Sequence, residues 1–330
     1  MSEGRASEQG HLIEVTSASD GLESVHLIGD EIEVVVVPGA GGKISRIVHR
    51  ASGFNVLWEN PRVPVCRTYP GAPFDDVWSG GWDDIFPTDP PCEYDGGSYH
   101  DHGDLWIGEW NWSIEEDSFD AATIHLSRDS VSLPCRVDKW IRVERGSPRV
   151  TARLRLTNSG LRPVTFMWNQ HIAHAIGPGS RVHAPASRMN VVAPAPSLGD
   201  ATSVDWPVHD GRDLSILPGP DAGTLEFIYP VDLRAGWCAV THPSHGLAVR
   251  VEFDPEVFRT PWQWRVCGGW RGHYFLLTEP CTSRPGSLAD AVANSSAAVL
   301  DAESSIDTEL VISVFTSFDE GASGDVDPTL

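Results

Sequence analysis

The chain has 330 residues, of which 41 % are hydrophobic and 21 % charged. That is an ordinary globular balance, with enough apolar material for a large core. The formal charge of −22 argues against DNA, RNA and anionic membranes as partners. No apolar run is long enough to span a bilayer, and the polar start Met1-Ser2-Glu3-Gly4-Arg5 has no apolar signal core behind it. With six cysteines scattered singly, the expectation is a cytoplasmic protein with reduced thiols.

The 31 Gly and 25 Pro, set between short apolar runs, predict an all-β chain with many turns. Residues 1–10 read as a disordered lead and 319–330 as a polar tail. The span 11–318 reads as one antiparallel β-sandwich domain, with no internal repeat or linker to divide it. The β-branched run Ile32–Val37 predicts a first strong strand, closed by Pro38-Gly39-Ala40-Gly41-Gly42. Residues 43–49 and 55–58 continue it as a meander. Residues 62–101 are rich in Pro, Gly, Asp and aromatics and have no sustained period. Trp78, Trp82, Phe86 and Tyr94 argue against disorder there, so the stretch is predicted as an ordered loop region over a binding face, centred on residues 80–87.

Further strands are predicted at 105–114, 123–127, 131–143, 149–158 and 164–173. After a loop-rich stretch over 184–224, strands resume at 225–229, 235–242 and 247–253, and a last one covers 310–316. Residues 288–299 are the one fair candidate for a helix. Ahead of them lies Gly272-His273-Tyr274-Phe275-Leu276-Leu277-Thr278-Glu279-Pro280, a buried strand ending on a carboxylate. Alternate residues of a strand share a face, so Phe275, Leu277 and Glu279 point the same way. A carboxylate there is costly unless it is paired or lines a cavity. From its neighbours alone, Glu279 reads as an ion-paired residue at a strand end.

Three other polar groups stand out. His100-Asp101-His102 with Glu109, together with His171 or His174, can be drawn as a two-histidine, one-carboxylate metal site. His-x-His is common in a chain with 13 His, and the reading adopted is no metal. His171 ends an apolar strand; it reads either as a core histidine satisfied by backbone or as a proton donor at the rim of the sheet. Trp82, Trp106, Trp262 and Trp264 offer flat surfaces of the kind sugar rings stack on, or simply core packing. There is no nucleophile elbow, no phosphate-binding loop and no dinucleotide fingerprint.

Taken in order, several pieces resemble the galactose mutarotase-like proteins, which include the aldose 1-epimerases. These are the opening meander with its Pro-Gly-x-Gly-Gly turn, Gly80-Gly81-Trp82-Asp83-Asp84-Ile85-Phe86-Pro87, His102-Gly103, the Asn158-to-His171 segment and Leu277-Thr278-Glu279-Pro280. The resemblance spans roughly residues 32–315 and lies in order and spacing rather than in any one piece. It implies a β-supersandwich with a sugar site, a small-molecule sugar as partner, and catalysis without metal or organic cofactor. Carried over, Glu279 is the general base at the anomeric hydroxyl, His171 the general acid at the ring oxygen, and His102 a group that binds or polarises that oxygen. Substrate contacts are expected from Arg67, Trp82, Asp83, Asp84, Trp106, Asn169 and Trp264. The Gly-Arg-x-x-Asn-Arg stretch of the best-known galactose mutarotases is absent, which marks a divergent branch. The leading expectation is an aldose mutarotase acting on a free sugar. Its rivals are a sugar-phosphate epimerase using Arg67, Arg265 and Arg271, a non-catalytic carbohydrate-binding protein, and a cupin-like metal protein.

Overall fold

A computed structural model describes residues 10–18, 21–192 and 194–316. The predicted tail 319–330, and all of the lead except Gly10, lie outside the described residues. Nearly all of the regular structure is antiparallel sheet. The larger sheet has twelve strands. From edge to edge these are Ile13–Ser17, Glu23–Ile28, Ile32–Val37, Lys43–His49, Trp82–Ile85, Asn169–His174, Tyr274–Glu279, Trp262–Cys267, Thr224–Pro230, Arg188–Val192 and Ser203–Asp205, with Phe54–Asn55 paired to Lys43–His49. The second sheet has eight strands, ordered Arg181–His183, Trp237–His242, Leu247–Phe253, Ser305–Phe315, Arg149–Asn158, Cys135–Glu144, Ala121–Asp129 and Asn111–Asp117.

The two sheets pack through their apolar faces. Val25, Ile44, Trp82, Trp168 and Ile172 from the larger meet Ile124, Val137, Leu154, Val249 and Ile312 from the smaller. The alternation that drives this is plain in Cys135–Glu144, where every second residue is buried. A second apolar cluster covers the opposite face of the larger sheet. There Ile85, Ala173, Val266, Phe275 and Leu277 project from the strands and are roofed by Trp58, Phe74, Trp78 and Trp106. Phe74 and Trp78 come from the aperiodic stretch, which lies over this face, and Trp58 and Trp106 flank that stretch in the chain.

Several predicted elements differ in detail. The centre of the aperiodic stretch is a strand, Trp82–Ile85, in the middle of the larger sheet. Its two aspartates hid it, because a buried acid with a lysine partner breaks the apolar alternation that marks a strand. The strand expected over 164–173 is two strands, Val164–Phe166 and Asn169–His174. The first pairs with Ala298–Leu300, so the predicted helix ends early, at Leu288–Ala293. Ser287 and Asp290 form a capping box at its start.

Candidate functional site

Three strands carry the site, and alternation decides which residues reach it. On Trp82–Ile85, Asp83 and Ile85 face the roof, while Trp82 and Asp84 face the second sheet. In the sheet register Asp83 lies beside His171, and Asp84 beside Gln170. Asn169, His171 and Ala173 therefore face the roof, whereas Gln170 and Ile172 face inward. On Tyr274–Glu279 the roof-side residues are Phe275, Leu277 and Glu279, as the sequence pattern requires. Among the described residues, no lysine or arginine is ion-paired to Glu279. Asn169 Nδ2 donates to its Oε2 at 2.7 Å, and only 2 % of the residue is exposed.

His102 enters from the loop that follows the short strand Gly97–Tyr99. Its backbone is left-handed (φ 59°), and so is that of Gly103 (φ 69°). Residue 103 has to be glycine, because a Cβ there would lie 1.8 Å from the Phe86 carbonyl oxygen. The loop is thereby pressed against the end of the Trp82–Ile85 segment, and the His102 amide donates to the Asp89 carbonyl. The His102 ring is held at both nitrogens, with Nδ1 2.8 Å from Asp101 Oδ1 and Nε2 3.1 Å from Asp89 Oδ1. Phe74 stacks flat on it at 3.7 Å, and the His171 ring meets it edge-on at 5.7 Å. His171 also lies edge-on to Phe74 and Trp78, and it is 4 % exposed. With about 7 Å between alternate residues of a strand, His171 sits within a sugar's width of the carboxylate that Asn169 holds.

The electrostatics follow from burial and from these neighbours. Burial pushes Glu279 up to about 8, and Asp89 adds to the rise against the hydrogen bond from Asn169 and the charge of His102. Burial alone would lower His102, but Asp89 and Asp101 more than offset it and raise the ring to about 8. Burial lowers His171 well below its usual value, and the charges of His102 and Lys43 push it the same way. At neutral pH the site thus holds a protonated Glu279, a neutral His171 and a cationic His102. Among the described residues, two buried atoms on this face make no hydrogen bond to another residue, Asn169 Oδ1 and His171 Nδ1, the latter a donor in its other tautomer.

The other expected contacts divide sharply. Asp83 is on the site face, but Lys43 at 2.5 Å and the Trp78 indole N–H at 3.1 Å both engage its Oδ2, so it pins the roof. Trp106 is part of the roof; its indole N–H donates to the Asp101 carbonyl. Trp264 lies half-buried on the same face, against Trp270 and Phe275. Trp82 and Asp84 are corrected to core residues. Trp82 is fully buried between the sheets and donates to Gln170, and Asp84 is paired with the fully buried Lys139. Arg67 is exposed and reaches the Gly21 carbonyl instead. His100 is exposed, and the left-handed turn at His102 breaks the strand geometry that would align the two histidines. Among the described residues, no three His, Cys, Asp or Glu side chains are grouped to hold a metal ion. Sequence reasoning missed Phe74, Asp89 and Asp101. Asp101 lies between two histidines in the chain, but nothing in the sequence around Asp89 distinguishes it.

The paired sheets, with the roofed face on the larger one, define the galactose mutarotase-like β-sandwich fold. A candidate aldose 1-epimerase from Klebsiella pneumoniae subsp. pneumoniae shares it at TM-score 0.74 and 16 % identity, over 92 % of this chain and 83 % of that one. A galactose mutarotase-like protein from Clostridium acetobutylicum aligns at TM-score 0.62 and 12 % identity, over 92 % and 98 %. The Slr1438 protein from Synechocystis sp. PCC 6803 aligns at TM-score 0.64 and 16 % identity, over 96 % and 100 %. No model of a known protein family matches the sequence, and no curated protein does. No described helix is long and apolar enough to cross a membrane.

Proposed function

We propose that this protein is a cofactor-independent aldose 1-epimerase that interconverts the anomers of a free sugar in the cytoplasm. The observation that carries the reading is the convergence of Glu279, His171 and His102 on one buried patch. They come from two adjacent strands and a distant loop, and none is tied into an ordinary core salt bridge to lysine or arginine. Ring opening needs one group to give a proton to the ring oxygen and another to take one from the anomeric hydroxyl. Two groups whose surroundings drive their proton affinities apart suit that task.

The protonation states favour a particular assignment. Protonated Glu279 donates to the ring oxygen and neutral His171 accepts the proton of the anomeric hydroxyl, the reverse of the roles that the family resemblance suggests. The C1–O5 bond breaks, and the open-chain aldehyde is left beside an imidazolium and a carboxylate. After rotation about C1–C2 the two groups reverse their transfers, the ring closes on the other face, and both return to their starting state. Asp89 disfavours ionised Glu279, and His102 and Lys43 disfavour cationic His171; the charge of His102 acts the other way on Glu279, where burial and Asp89 outweigh it.

A phosphorylated substrate is disfavoured because the arginines that would bind it are dispersed. Arg265 is buried and paired with Glu226, Arg271 is paired with Asp76, and Arg67 reaches Gly21. Substrate entry requires the roof to shift, since Phe74 covers one face of His102 and is itself 2 % exposed. Its exposed clasp is Arg271, which donates to the Asp75 carbonyl and pairs with Asp76. The test is anomer exchange followed by two-dimensional exchange NMR over a panel of aldoses. Catalysed exchange in the wild type and its loss in Glu279→Gln are the expected results. Equal rates for both proteins on every sugar would remove the enzyme reading.

A further inference from the structure

We propose that Asp89 is the second working carboxylate of this site: anchored by His102, it accepts hydroxyl hydrogen bonds from a neutral aldose and turns anionic sugars away. This rests on the sugar-epimerase reading and narrows its substrate class. A neutral imidazole donates from one nitrogen only, so the His102 ring, hydrogen-bonded through Nδ1 to Asp101 and with Asp89 Oδ1 3.1 Å from Nε2 as an ion-pair partner, is held as an imidazolium. Its job is to hold Asp89 in place, and Asp89 Oδ1 is the oxygen it holds. Asp89 lies within electrostatic reach of Glu279.

Among the described residues, Asn169 Oδ1 and His171 Nδ1, in residues 0 % and 4 % exposed on the same face as Glu279, make no hydrogen bond to another residue. Buried polar atoms left open in this way call for a ligand able to hydrogen-bond them. Sugar hydroxyls can donate to Asp89 and Asn169 while exchanging protons with Glu279 and His171. A phosphate or carboxylate would instead meet Asp75, Asp89 and Asp101, and the nearby cations Lys43 and Arg271 are already committed to Asp83 and Asp76. Like charges at such distances in a poorly solvated site repel strongly.

The experiment compares wild type, Asp89→Asn, Asp89→Glu and Asp101→Asn by exchange NMR on neutral aldohexoses and their 6-phosphates. Asp89→Asn is expected to lower kcat/KM for neutral sugars at least tenfold, mainly through KM, and to narrow the neutral-over-phosphate preference at least tenfold. It should also move the alkaline limb of the rate profile to lower pH, because the charge that holds the Glu279 proton is gone. Of the other groups that bear on Glu279, Asn169 and Cys281 are untouched in the variant, and His102 keeps Asp101 against Nδ1, so its weakened charge does not reverse the shift. Asp89→Glu should recover part of the loss, and Asp101→Asn should narrow the neutral-over-phosphate preference less than Asp89→Asn does. An Asp89→Asn protein with wild-type KM and preference overturns the proposal, as does a wild type that prefers the phosphates. Should Asp89→Asn fail to fold, Asp89→Glu decides: an unchanged KM and preference overturn the proposal, and a raised KM supports it. If the wild type exchanges no sugar, the epimerase reading falls, and ligand-observed NMR with the same sugars judges Asp89 separately. Neutral-sugar binding lost in Asp89→Asn supports its role; equal binding, or none to wild type, overturns it.

Discussion

The two faces of the same three strands carry similar polar residues and use them in opposite ways. On the inward face, Asp84 takes Lys139 at 2.5 Å and the Gln170 amide at 2.7 Å, while Gln170 accepts from Trp82 at 2.9 Å. These donors and acceptors meet each other, and the network holds the second sheet to the first, although Nδ1 of the inward-facing His174 has no partner among the described residues. On the roofed face, one residue along each strand, Asp83 is tied up, but Glu279 and His171 are not neutralised by a partner charge. Burial with satisfied partners yields structure; burial without them shifts proton affinities and leaves atoms for a ligand. Identical burial therefore says little about role until each polar atom is followed to its partner.

The comparison breaks most readily at Glu279. Glu279→Gln should lower anomer exchange by about 10²–10⁴-fold, the usual size of one acid/base group, while the folded protein persists. His171→Asn should do similar damage, and the double variant should be little worse than either single one, since the two act as a unit. A double variant whose losses multiply would mean the two groups act independently. On the inward face the expectation is inverted. Lys139→Met leaves Asp84 buried and unpaired, so urea unfolding should show a loss of about 3–5 kcal/mol. KM of whatever protein remains folded should not change, and adding Asp84→Asn should restore much of the stability.

The pH dependence sharpens the contrast further. Glu279 is raised from 4.5 to about 8 and His102 from 6.5 to about 8. A group raised on folding contributes stability below its unfolded value and loses it as pH climbs through the folded one. Stability should therefore fall between about pH 4.5 and 8, by the order of a few kcal/mol, and Glu279→Gln should flatten that slope. If protonated Glu279 is the acid, kcat/KM falls as pH rises through about 8; a rate that rises there would restore Glu279 to the role of base. The smallest effect belongs to the roof. Arg271 and Asp76 are largely exposed, so Arg271→Ala should cost less than about 1 kcal/mol of stability. It should nevertheless raise the sugar on-rate a few-fold in stopped-flow tryptophan fluorescence, if lifting the roof limits entry.

Alternation alone put Phe275, Leu277 and Glu279 on one face, because the side-chain period of a strand is a local property of the backbone. The many turns and short apolar runs were likewise enough for an antiparallel sandwich. The left-handed pair His102-Gly103 was visible as a motif, but the reason for it is a close approach to Phe86, which is distant in the chain. Trp82 and Asp84 were misjudged because an aspartate between tryptophan and isoleucine looks the same whether a lysine 55 positions on will reach it or a ligand will. Asp89 carried no local mark at all; its part depends on a loop folding back to set His102 against it. By itself the sequence determined which residues share a strand face and which can titrate. Only the tertiary structure decided which acid meets which base, because burial and electrostatic pairing depend on neighbours brought together from far along the chain.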